Sequence, residues 1–338
     1  MKNTSTRRPV FRRPIMAAAL WVVLCVAATA LAACGASRRQ APAVAKTSSV
    51  ECELWVTRDY GNAVIKRVTA QLGGKDSVME VLKRHCRVET DYGGGFVKSV
   101  DGLASTRGRP GSGGDWFYYV NGVLAGRGAL ETAAPPGGVV WWDYHAWSYS
   151  GGQFLAVVGA WPRPFTGKCS ILYTVGGAKA ARAIASALAG ATVTVSEYRG
   201  GPLSERSTPS MIVGLAGELL EAEWVAGLFR NAWRAGMPGT IRAPGPDGGV
   251  VGLDAAGKEA SRWDEGSALI VAAASYMGDE NPLWVVVGWD EKGLDRAAEA
   301  LSRALHGETP LRNAFAVAVT PGGIERLPLG PGGGGAGR

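Results

Sequence analysis

The sequence predicts an α+β chain in two parts, preceded by an exported leader. Two observations carry the prediction. Residues 51–160 hold short alternating and aromatic segments separated by glycine turns, with one helix-like stretch among them. Residues 169–327 hold continuous apolar segments alternating with alanine-rich amphipathic ones, the pattern of an α/β sandwich with two βαβ-like units.

The leader comes first along the chain. Residues 1–33 carry Lys2, Arg7, Arg8, Arg12 and Arg13, no acidic residue, and the apolar run MAAALWVVLCVAATALAA. A basic head before such a run is a signal peptide and not an element of the fold; the run is barely long enough to span a bilayer. It closes on Leu31-Ala32-Ala33-Cys34, which resembles a bacterial lipoprotein lipobox. Small residues fit a narrow peptidase cleft, and a cysteine at the first retained position offers its thiol to diacylglycerol. Cys34 is the expected lipidation site, and the expected location is the extracytoplasmic face of the cell membrane, held by diacylglycerol and further acyl chains such as palmitate. Ordinary secretory cleavage and a retained membrane anchor are the alternatives. Arg7-Arg8 raises the twin-arginine route, which the residues that follow fit poorly. Residues 34–50 read as anchor and flexible tether, and residues 328–338 as a glycine-rich tail outside any core.

Removing the leader changes the electrostatic reading. The chain is formally +7, and the five leader charges leave only +2 on the exported part. No basic cluster supports a nucleic-acid partner. The expected partners are the membrane, through Cys34, and a small molecule or an envelope protein or glycan.

In the first domain, Cys52, Leu54 and Val56 alternate as a strand, and RDYGN reads as a turn before a second strand around Val64 to Val68. Ser77 caps a short helix with Val78, Val81, Leu82 and Cys86 at helical spacing. GGGFVKSVDGL gives a strand and a turn at Asp101-Gly102. DWFYYVNGVLAGRGA is a hairpin around Asn121-Gly122, a pair that accepts left-handed dihedrals. The strand VVWWDYHAWSY closes the domain. A small mixed sheet holding one helix is a β-grasp-like arrangement.

RDYG (Arg58 to Gly61), the helix, DYGGGFVKSVDG (Asp91 to Gly102), DWFYYVNG (Asp115 to Gly122) and WWDYHAW (Trp141 to Trp147) together resemble domain of unknown function 4430, over roughly residues 51–150. That family is found on bacterial envelope proteins and is similar to the C-terminal domain of transcobalamin and intrinsic factor. The resemblance implies a β-grasp domain that binds soluble ligands or carbohydrate, or serves in adhesion or assembly. In the cobalamin carriers the related domain covers one face of the corrinoid and a helical barrel supplies the other; no helical array of that kind is present in this sequence.

Strand periodicity divides the aromatic residues between two faces. Val139, Trp141, Asp143, His145, Trp147 and Tyr149 share one; Val140, Trp142, Tyr144, Ala146 and Ser148 share the other. Trp116, Tyr118 and Val120 divide from Phe117 and Tyr119 in the same way. One helix covers one sheet face, so one aromatic row is expected as core. The other packs under the second domain or stands exposed as a recognition surface. The candidate ligand or interface residues are therefore Trp116, Tyr118, Trp141, Trp142, Asp143, Tyr144, His145 and Trp147. Asp143 can orient His145 for metal or acid–base chemistry, but a polar pair satisfying its neighbours is the expected reading. Export favours a disulfide among Cys52, Cys86 and Cys169, with Cys52–Cys86 and Cys52–Cys169 the leading pairings.

In the second domain, CSILYTVGG, AKAARAIASALAG and ATVTVSEY read as strand, helix and strand; PLWVVVGWDEKGLDRAAEALSRALHG and NAFAVAVT repeat the plan. Leu219, Leu220, Trp224, Leu228, Phe229 and Trp233 form a core stripe on an intervening helix. Gly176-Gly177 is a site of close packing and not a phosphate loop, and Asp279, Glu280, Asp290 and Glu291 are expected in solvated turns. The chain contains no HExxH, GxSxG or nucleotide motif, so no cofactor, metal or catalytic residue is assigned. The expected function is a lipid-anchored, non-catalytic ligand-binding or assembly protein of the envelope. A cobalamin or other small-ligand uptake lipoprotein and an envelope hydrolase are the alternatives.

Overall fold

The structure, a computed structural model, describes residues 50–106, 113–148, 151–305 and 311–330. The leader, Cys34, the tether through residue 49, Tyr149 and residues 331–338 of the tail lie outside them. The described residues are a mixture of helix and strand in several sheets, an α+β fold.

β1 (Val50–Arg58) and β2 (Ala63–Leu72) pair antiparallel across Asp59, Tyr60 and Gly61, whose φ values of 59°, 58° and 78° are all left-handed. α1 (Val78–His85) starts at a reciprocal cap: the Ser77 hydroxyl accepts the Glu80 amide, and the Glu80 carboxylate accepts the Ser77 amide at 2.7 Å. Val78, Met79, Val81 and Leu82 bury its inner face. β3 (Val88–Asp91), β4 (Phe96–Val100) and β5 (Leu103–Ala104) make a small antiparallel sheet. β6 (Gly114–Val120) turns at Asn121-Gly122, φ 52° and 85°, into β7 (Val123–Leu124). β8 (Val139–Ala146) then enters the middle of the main sheet, whose order is β2-β1-β8-β6-β7. It runs parallel to β1 and antiparallel to β6.

The second domain is built on one seven-stranded sheet. β9 (Lys168–Tyr173), α2 (Ala178–Ala187) and β10 (Thr192–Glu197) form a βαβ unit with its two strands adjacent and parallel. β11 (Ser210–Leu215) leads to α3 (Ala216–Leu219) and α4 (Glu223–Arg230). β12 (Gly239–Arg242), β13 (Gly249–Leu253) and β14 (Glu259–Trp263) form a separate three-stranded sheet. β15 (Ala268–Ala273), β16 (Leu283–Gly288), α5 (Glu291–Leu305), β17 (Ala316–Thr320) and β18 (Gly323–Leu327) complete the order β10-β9-β11-β16-β15-β17-β18. The second βαβ-like unit is split: β15 lies antiparallel between β16 and β17, so those two run the same way without touching.

The seven-stranded sheet is covered on both sides, as its continuous apolar strands require. α2 and α5 pack on Ile171, Met211, Val213, Trp284 and Val286. α3, α4 and the three-stranded sheet pack on Ile212, Leu269, Val271, Val285 and Val287. The stretch read as one helix is two, because Ala222 takes an extended conformation (φ −79°, ψ 110°) between them. Trp233 leaves the stripe altogether and packs 5.5 Å from Phe154, against the first domain. The Gly176-Gly177 turn is a close packing site: a Cβ on Gly177 would lie 2.2 Å from the Val213 carbonyl oxygen, and the Gly176 amide donates to the Glu218 carboxylate. Asp279 is no solvated turn residue, being 4% exposed; Asp290 accepts the Gly293 amide at the start of α5 at 2.8 Å.

The expected disulfide is not formed. Cys52, Cys86 and Cys169 are free, buried thiols. Cys169 lies in the second domain's core while Cys52 and Cys86 lie in the first domain's, so each serves as a small apolar side chain. Burial pushes all three thiols up, and Cys86, where Asp101 adds to burial, reaches about 11. A folded pKa above the unfolded value of 9.0 means that the Cys86 contribution to stability is complete below that value and is lost as pH rises towards 11. Iodoacetamide at about pH 8 is therefore expected to spare all three cysteines in the native chain and to label them after unfolding. Fast native labelling, or a disulfide-linked peptide in a digest, contradicts this assignment.

Candidate functional site

The two faces of the aromatic strand are both covered, by different partners. Trp116, Trp142, Val140 and the half-buried Tyr118 and Tyr144 pack with α1 and with Leu54 and Val56 of β1. Trp141, Val139, Tyr119 and Trp55 face the other way, into Phe154, Val157 and Phe315. Phe315 is the plug: its ring lies 5.3 Å from Trp141, 5.2 Å from His145, 5.6 Å from Tyr119 and 5.7 Å from Tyr60. Of the two readings open for the second row, packing beneath the second domain is the one found. Tyr118, Tyr144 and Trp147 keep partial exposure, with the Trp147 indole donating to Asp115 at 2.7 Å.

Asp143 is fully buried and is the polar centre of this junction. Its carboxylate accepts the Thr57 hydroxyl, the Tyr60 amide at 3.1 Å and the Gly61 amide at 2.8 Å, and His145 Nδ1 lies 2.9 Å away. Successive left-handed residues turn those two amides onto one anion, as a backbone nest does. His145 is stacked on Phe117 at 4.5 Å and is 2% exposed. Burial and the Asp143 charge hold the Tyr60 phenol well above its ordinary value; its hydroxyl donates to the Ala146 carbonyl at 2.9 Å. The outward side of the same arm meets the second domain. Arg326 donates to the Gly61 carbonyl at 2.9 Å and the Asn313 carbonyl at 2.7 Å, and a Cβ on Gly61 would fall 1.8 Å from the Asn313 oxygen. The Asp143–His145 pair therefore builds the domain junction.

The accessible site lies elsewhere on the seam. A groove of about 750 Å³ runs between the β6–β7 hairpin, the loop Ala125–Ala133 and the second domain's Met277 to Glu280. Tyr118 supports the near wall: stacked on Trp142 at 4.8 Å, it donates its hydroxyl to the Arg127 carbonyl and meets the Thr132 hydroxyl at 2.9 Å. The first amides of α1 hold the same loop, Val78 donating to the Thr132 carbonyl at 2.8 Å and Met79 to the Ala129 carbonyl at 3.0 Å. The far wall is fixed by Asp279, which accepts the Ser275 amide at 2.8 Å, the Asn281 amide at 2.9 Å and Arg206 Nη2 at 3.1 Å. The Gly278 amide joins the walls by donating to the Leu124 carbonyl at 2.7 Å. Met277 is 56% exposed on the far wall beside Glu280, and Arg127 and Glu131 are exposed on the near wall.

Residues 75–146 match the family described as Domain of unknown function (DUF4430). The DUF4430 segment thus runs from the approach to α1 to the end of β8, and it contains Asp143, the aromatic strand and the near wall of the groove. The left-handed arm that binds Asp143 and the far wall lie outside it. A crystal structure described as a candidate metal-binding protein from Ruminococcus gnavus is similar over 29% of this chain and 99% of its own, at 14% identity and a TM-score of 0.23. No curated protein matches the chain. Among the described residues, no group of three or more His, Cys, Asp and Glu side chains is gathered as metal ligands.

The sequence singled out Trp116, Tyr118, Trp141, Trp142, Asp143, Tyr144, His145 and Trp147; these support the groove and the junction but do not line the groove. The lining residues Arg127, Glu131 and Met277 carried no motif. The one signal was at Met277, an apolar residue beside Tyr276 in the loop after a strand. The buried polar chain itself is testable. The Thr57 hydroxyl donates to Asp143 and accepts the Trp141 indole at 2.7 Å. Thr57→Val keeps the shape but strands both partners, and is expected to cost about 2 kcal/mol in urea unfolding. The exposed Thr69→Val on β2 is expected to cost less than about 0.5 kcal/mol; equal costs contradict the role given to Thr57.

Proposed function

We propose that this chain is a lipid-anchored, non-catalytic binding protein on the extracytoplasmic face of the cell membrane. Its binding surface is the groove between the hairpin loop and Met277 to Glu280. The observation that carries the reading is the construction of that groove: walls from both domains, each fixed by its own hydrogen bonds, with the exposed Met277 and the charged Arg127, Glu131 and Glu280 lining it. A preformed concave site with apolar surface and a few placed polar groups suits a ligand or a partner segment. The strand order, with β1 parallel to β8 and α1 across one face, supports reading the first domain as a β-grasp. The basic leader ending in Leu31-Ala32-Ala33-Cys34 supports the anchor.

Two experiments address the two halves of this reading. Cys34→Ala is expected to abolish incorporation of labelled fatty acid and to move the protein from the detergent phase to the aqueous phase; unchanged partitioning overturns the anchor. For the groove, cobalamin, haem and envelope oligosaccharides are titrated against the native chain and against Met277→Asp and Arg127→Glu. Saturable binding of one class, weakened about tenfold in the variants, is expected. Affinity unchanged in both variants, or no binding together with unchanged retention on isolated envelopes, overturns the groove as the site.

A further inference from the structure

A second cleft, sharing no residue with the groove, lies where β1, the residues before β8, the segment Gly159–Thr166 and the end of α5 meet, and encloses about 280 Å³. Trp55, 3% exposed, is part of its lining, and its indole donates to the Glu53 carboxylate at 2.8 Å. Two guanidinium groups share that ring. Arg67 Cζ lies 5.4 Å and Arg312 Cζ 5.9 Å from its centroid. Arg163 stands in the same cleft, donating to the Thr166 hydroxyl at 2.8 Å and to the Gly137 carbonyl.

Among the described residues, this concentration of like charge is only partly compensated, by Glu53. Arg58, Arg84, Arg206, Arg230, Arg242 and Arg262 each meet a carboxylate within ion-pair distance. Among the described residues, Arg67, Arg163 and Arg312 have no carboxylate within that reach, and Glu53 is engaged by Trp55. Burial holds Arg67 below the usual arginine value, Arg312 lowers it further, and Glu53 opposes them. A guanidinium held over an aromatic face keeps its N–H donors directed outward at its edge, ready for an oxyanion. Three cations against one carboxylate leave two positive charges, which a phosphate dianion balances and a single carboxylate does not.

We infer that this cleft binds the phosphate group of a small organic phosphate, with Arg312 and Arg163 as its donors and Arg67 supplying charge across the Trp55 ring. The phosphate belongs either to a soluble ester or to a phospholipid headgroup.

The test is isothermal titration calorimetry on the full chain at low ionic strength, with glycerol 3-phosphate and a soluble short-chain phosphatidic acid, both phosphomonoesters, as probes. Saturable binding of at least one probe is expected, weakened about tenfold or more by Arg312→Gln and by Arg163→Lys and unchanged in Arg242→Gln. Binding of glycerol phosphate assigns the soluble source, and binding of the lipid alone assigns the headgroup. Arg163→Lys keeps the charge and loses the fork, so it reports on recognition even if Arg312→Gln unfolds. Met277→Asp, in the groove, is expected to leave phosphate binding unchanged, which separates this site from the proposed one. No saturable heat with either probe, or equal affinity in the folded cleft variants, or an equal loss in Arg242→Gln, overturns the inference.

Discussion

One buried carboxylate organises this protein. Asp143 has no access to water, and an ion in that position persists only where donors replace its hydration. Those donors come from separate parts of the chain: a hydroxyl on β1, two amides of the left-handed arm that follows β1, and a histidine on its own strand. Satisfying Asp143 therefore fixes the arm, and the arm presents Gly61 to Asn313 and Arg326. The charge that closes the first domain thereby also sets the position of the second. Removing one hydrogen-bond donor from such a buried group typically costs about 2 kcal/mol, an appreciable part of a domain's stability.

The aromatic strand follows the same constraint. One helix can cover only one face of the first domain's sheet, and α1 does so over Trp116 and Trp142. The other face, with Trp55, Trp141 and Tyr119, is closed by Phe315 of the second domain and by Phe154 and Val157 of the connecting segment. The two domains thus share a core. Their seam leaves two concavities, the groove at the hairpin loop and the arginine-lined cleft, each with walls contributed from both sides of it. Binding surfaces placed on a rigid seam are preorganised, which limits the entropy lost when a ligand is held.

Much of the fold was legible because it depends on local rules. Ser77 and the helical spacing of Val78, Val81, Leu82 and Cys86 announced the helix, Asn121-Gly122 announced its hairpin by backbone preference, and the apolar strands of the second domain announced a sheet covered twice. The alternation through Trp141 and Trp142 separated the two faces correctly, yet could not choose between a neighbouring domain and solvent as cover. That choice rests on Phe315, 174 positions further along from Trp141, whose partner no local pattern identifies. The same limit explains the cysteines. The expectation of export favoured a disulfide, whereas burial made each thiol a packing group, Cys52 and Cys86 in one core and Cys169 in another. Arg67, Arg163 and Arg312 were invisible as a group because only the tertiary fold gathers them, and a net charge summed over the chain does not reveal a local excess.

Scanning calorimetry of the native chain and of Asp143→Ala tests the shared junction most directly. If Asp143 locks the domains together, the native chain melts in one transition with matching calorimetric and van't Hoff enthalpies, and Asp143→Ala splits it into two. Two transitions already present in the native chain, at temperatures the substitution leaves unchanged, would contradict the account.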